Sequence, residues 1–110
     1  MESLERVIGS SSDHFVRIFM TQFGFSQERA EQFVSLAGDD LIASYEFLAP
    51  HLDPGGLSAP ENVRDLLSAI HASRIASSLG ISPSEVWTGL RVFVPGVLQF
   101  ADGRLPSGTA

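Results

Sequence analysis

The chain has 110 residues, 44% of them hydrophobic and 18% charged, with a formal net charge of −6. That size sets a single domain, and the composition excludes global disorder. The absence of cysteine excludes disulfides and thiolate chemistry. The seven basic residues, all arginine and scattered, form no patch for nucleic acid or an anionic membrane.

Met1-Glu2-Ser3-Leu4-Glu5 is acidic where a secretory leader is basic, and no apolar run approaches the roughly 20 residues that cross a bilayer. The expectation is a soluble, cytoplasmic protein without membrane insertion. Glu2 to Ile8 reads as a short helix, with Gly9-Ser10-Ser11-Ser12 as its break. Ser12 or Asp13 then caps a helix carrying Phe15, Ile18, Phe19 and Phe23, which Gly24 closes. Ser26 opens the next helix, with Ala30, Phe33, Val34 and Ala37 as its apolar stripe. Gly38-Asp39-Asp40 reads as a corner before a helix from about Leu41 to Leu48.

Residues 50–60 are rich in Pro and Gly and form the clearest connection. Ser58-Ala59-Pro60-Glu61 has a capping-box pattern. Helix is expected from Pro60 to Leu79, with a possible break between Ala69 and Ser73 where the apolar stripe slips. Pro83 to Phe93 reads as the next helix. Pro95 disfavours its continuation, so a separate short turn is expected from Pro95 to Phe100, followed by a tail.

Two stretches repeat one device: Phe23-Gly24-Phe25-Ser26 and Leu79-Gly80-Ile81-Ser82. In each, glycine takes the left-handed conformation that ends a helix and serine caps the next one. Pro83 and Glu85 complete the second copy as first helical residue and capping-box partner. Phe25 and Ile81 stand where one side chain touches both the helix before and the helix after. The expected fold is all-α: a compact bundle of five to seven short helices with two pseudo-repeated Gly-x-Ser corners.

Residues 58–107 resemble the YidB-like family of bacterial proteins. The pieces in order are Leu57-Ser58-Ala59-Pro60-Glu61, Ile75 to Glu85, Val94-Pro95-Gly96-Val97-Leu98 and Asp102-Gly103-Arg104-Leu105-Pro106. The resemblance implies a small helical fold of bacterial source and no known activity. Residues 12–49, through Phe23-Gly24-Phe25, Ala30, Asp39-Asp40 and Tyr45-Glu46-Phe47-Leu48, resemble the ubiquitin-associated three-helix module. That resemblance implies a ubiquitin-binding surface at Phe23, Gly24, Phe25, Leu48 and Ala49. In a bacterial protein only the three-helix geometry would carry over.

No catalytic, cofactor or metal site is expected. His14, His51 and His71 share no metal-ligand spacing; His14 reads as part of a helix cap and His71 as a helix-surface residue near Arg74. Asp39-Asp40 fit a corner and N-cap, and Gly55-Gly56 a flexible turn. Phe25, Phe47 and Trp87 fall at the edges of their apolar stripes. With Phe23, Gly24 and Leu48 they are the candidate partner-binding residues. The expected role is a protein-interaction or structural module, with an unknown protein or a second copy as its partner and an apolar groove between the two corners. The alternatives are a ubiquitin-binding module and a small-ligand carrier or enzyme.

Overall fold

The computed structural model describes residues 4–53 and 56–104, with side chains as far as 102. Helices α1 (Leu4–Gln22) and α2 (Gln27–Leu48) lead to a 3-10 turn (Ala49–His51), followed by α3 (Pro60–Ser68), α4 (Ala72–Leu79) and α5 (Pro83–Arg104). No strand occurs among the described residues, so the expected all-α bundle is what forms. No described helix is long and apolar enough to cross a membrane.

The bundle is assembled around α5, which packs against all four other helices. Val86, Leu90, Phe93, Val94, Val97, Leu98 and Ala101 are buried and recur every three to four residues, forming one continuous stripe. α2 runs parallel to α5 and in step with it: Phe33 lies against Gly89, and Gly38 faces Phe93. α1 returns antiparallel to α2, pairing Phe19 with Phe33 and Ile8 with Gly38. The two Gly-x-Ser corners, each at the start of one of these parallel helices, therefore lie at the same end of the molecule.

Both corners take the expected conformation. Gly24 has φ 71° and Gly80 φ 69°, a region that costs other residues roughly 1–2 kcal/mol. The second corner closes as a Schellman turn, with the Gly80 and Ile81 amides donating to the Ala76 carbonyl at 2.9 and 3.2 Å. Ser82 and Glu85 form a reciprocal capping box, each side chain accepting the other's backbone N–H. The first corner is looser by one residue, since the Phe25 amide reaches back to the Phe19 carbonyl. Ser26 caps α2 by accepting the Arg29 amide at 3.2 Å, with arginine where the second corner has Glu85.

The breaks expected at Gly9–Ser12, Gly38–Asp40 and Pro95 are absent. α1, α2 and α5 are long helices of 19, 22 and 22 residues. Residues 12–49 accordingly hold two helices, and the three-helix unit implied by the ubiquitin-associated resemblance does not form. In α1 the serine hydroxyls donate back to carbonyls of the preceding turn, Ser10 and Ser11 to Val7 and Ser12 to Gly9, so they do not compete for the backbone as a break would require. In α2, Gly38 is a notch for Ile8, whose Cγ2 lies 3.1 Å from the place of a Cβ.

Pro95 lies inside α5, and beyond it Val97, Leu98 and Ala101 are buried. Burying the valine and leucine contributes about 1.5–3 kcal/mol each, against about 3 kcal/mol for an interior proline. Packing wins, and the expected tail is helical as far as Arg104; residues 105–110 lie outside the described part. The slip between Ala69 and Ser73 does break the chain, separating α3 from α4.

Candidate functional site

The six residues singled out from the sequence do not assemble into one surface. Phe25 is buried, contrary to the exposure expected of it, because its ring joins Phe19, Phe23 and Phe33 at centroid distances of 5.8–6.2 Å. Phe23, Leu48 and Trp87 are half-buried and pack against the core. Gly24 is exposed. Phe47 is 79% exposed, the most exposed large apolar side chain described. Met20 and Phe100 are also exposed and were not singled out by periodicity.

Asp40, read as part of a corner and cap, and Asp102, read as part of the tail, instead join distant segments. Asp40 does not cap its own helix. From within α2 its carboxylate accepts the His71 backbone N–H at 2.7 Å and faces His71 Nδ1 at 3.2 Å, tying α2 to the start of α4. Asp102, expected in the tail, accepts the Leu57 and Ser58 amides at 2.9 and 2.8 Å and the Ser58 hydroxyl. Ser58 is therefore not the cap of α3; that position is Ala59, which makes no side-chain cap bond. Asn62 is buried and spans the same loop, accepting from Asp53 N–H and donating to the Asp53 and Gly56 carbonyls. The proline- and glycine-rich connection is thus pinned from both ends. These groups are consumed in holding the fold together. Among the described residues, every buried side-chain nitrogen and oxygen has a partner, and no three His, Asp or Glu side chains are grouped as a metal site requires.

Two grooves flank α1 among the described residues, one on each side, and neither lies between the two corners. The first, of about 580 Å³, runs between α1 and α5 and is lined by His14, Phe15, Ile18, Val92, Gly96, Gln99 and Phe100. His14 sits mid-helix and not at a cap, edge-on to Phe15 and Phe100 with centroids 5.2 and 5.5 Å away. Gly96 keeps the floor low, because a Cβ there would meet the Phe15 ring at 2.7 Å.

The second groove, of about 360 Å³, lies between α1 and α2. Its walls carry the same pattern of residues. From α1 come Glu5, Ile8, Gly9, Ser12, Asp13 and Val16; from α2 come Glu31, Val34, Ser35, Gly38, Asp39 and Ile42. Each wall reads acid, apolar, small, small, acid, apolar at identical spacing. Since the helices are antiparallel, the groove has an approximate two-fold axis across it. Small residues at its centre let the two backbones approach, and Ile8 enters the notch at Gly38. This site was missed in the sequence, where Gly9–Ser12 and Gly38–Asp40 read as breaks. The matching spacing of the two stretches was the available signal.

Comparison with protein-family models, with curated proteins and with solved structures finds no match.

Proposed function

We propose that this chain is a non-catalytic protein-interaction module that docks a helical segment of a partner in the groove between α1 and α2. The observation that carries the reading is the pair of matched walls, which leave Val16 and Ile42 only partly covered along a furrow between two long helices. A furrow of this kind accepts the apolar face of an amphipathic helix. The affiliation of residues 58–107 with YidB-like proteins is proposed alongside and adds no chemistry. A ubiquitin-type surface draws less support, since Phe25 is buried and Leu48 half-buried.

The test is a titration of isotope-labelled protein with synthetic amphipathic helices, read by amide chemical shifts. Shifts confined to residues of the two walls, and abolished by Ser35→Trp, are expected. Ser35 is exposed, so the substitution blocks the groove without entering the core. Shifts centred on Phe23 to Phe25 and Leu48 would favour the ubiquitin-type surface instead. A flat spectrum for every helix would remove the docking reading.

A further inference from the structure

We infer that the occupant of the α1–α2 groove is a basic amphipathic helix, an inference that rests on the docking reading above. Four carboxylates rim the apolar floor: Glu5 and Asp13 on one wall, Glu31 and Asp39 on the other. All four residues are exposed, and no lining residue is basic. On each helix the two acids stand at i and i+8, about 12 Å apart along the axis. A cleft lined by one sign of charge above an apolar floor concentrates its field and attracts the opposite sign. The chain as a whole carries −6, so a second copy brings the wrong charge.

The complementary ligand has an apolar stripe at i, i+3, i+4 and i+7 to cover Val16 and Ile42, which are only partly buried, above the buried Ile8 and Val34. Lysine or arginine flanks that stripe on both sides, to meet both walls. Gly9, Ser12 and Ser35, which reach the surface of the groove, let the ligand's backbone come close. The specificity is electrostatic: it selects by the sign of the flanking charge and strengthens association at low salt.

The experiment uses two synthetic helices of about 20 residues, long enough to become helical on binding. They share one leucine stripe and differ only in carrying lysine or glutamate on both flanks. Calorimetry with the full chain is expected to show binding of the lysine peptide that weakens as salt is raised. The variant Glu5→Gln/Asp13→Asn/Glu31→Gln/Asp39→Asn is expected to lose about tenfold in affinity, the sum of four exposed ion pairs. Neutralising Glu61 and Asp65 on α3 is expected to leave binding unchanged. Equal binding of the glutamate peptide, or binding indifferent to salt, overturns the charge assignment and leaves helix docking standing. Failure of both peptides removes the two together. Binding of spermine at these four acids without binding of the lysine peptide overturns the helix as occupant.

Discussion

The ring of Phe33 occupies the space that a side chain at position 89 would need. A Cβ placed on Gly89 falls 2.6 Å from the ring's Cζ. Phe33 is wholly buried between Phe19 and Phe25, so the ring has little room to retreat. Gly96 stands in the same relation to Phe15, at 2.7 Å. α5 is therefore notched twice on one flank, once for a ring from α2 and once for a ring from α1.

Gly89→Ala is expected to destabilise the protein. Overpacking a buried contact costs about 1–3 kcal/mol, against which the helical gain of alanine over glycine is about 1 kcal/mol. Gly9→Ala is the contrasting case. Gly9 is exposed within α1 and a Cβ there meets nothing within 4 Å, so the helical gain stands alone. Chemical denaturation should show a lower midpoint for the first variant and a higher one for the second. A stabilised Gly89→Ala would mean that Phe33 has room to move.

Asp102→Ala is expected to cost about 2–3 kcal/mol, because hydrogen bonds to a charged group contribute about 1.5–3 kcal/mol and this carboxylate takes three. Asp102→Asn should fall between it and the parent, retaining one acceptor oxygen. Amide hydrogen exchange offers a local check: protection at Leu57 and Ser58 should drop in both variants. Unchanged protection there would show that Asn62 holds the loop without help.

The two corners should respond unequally to loss of their serines. Ser82→Ala removes the two bonds made by the hydroxyl, one accepted from the Glu85 amide and one donated to the Glu85 carboxylate, while the backbone N–H of residue 82 keeps its carboxylate acceptor. About 1–2 kcal/mol of stability is expected to go with them. Ser26→Ala removes one bond to the Arg29 amide and should cost about 1 kcal/mol or less. Thermal melts of the two variants rank them directly, and equal losses would contradict the difference in geometry.

Phe25 and Phe47 both stood out as candidate surface residues, yet they should behave oppositely. Phe25→Ala removes a buried ring, with an expected loss of about 3–5 kcal/mol. Phe47→Ser alters a side chain that is 79% exposed and should change stability by no more than about 0.5 kcal/mol. Urea unfolding separates the two outcomes.

What could be read along the chain was whatever neighbouring residues settle among themselves. The left-handed turns at Gly24 and Gly80, the caps at Ser26 and Ser82, the joint between α3 and α4 and the stripe of α5 all depend on groups a few residues apart. The fate of Gly9–Ser12, Gly38–Asp40 and Pro95 did not. Each locally resembles a break, and each is carried through because distant partners reward continuity: Ile8 against Gly38, or the burial of Val97 and Leu98. The burial of Phe25, the reach of Asp102 to Ser58 and the pairing of two equally spaced walls into one furrow belong to the same class. Local preferences amount to about 1 kcal/mol per residue or less, proline apart, whereas a buried side chain contributes about 1.5–3 kcal/mol. Where the two disagreed, contacts between segments far apart in the chain prevailed.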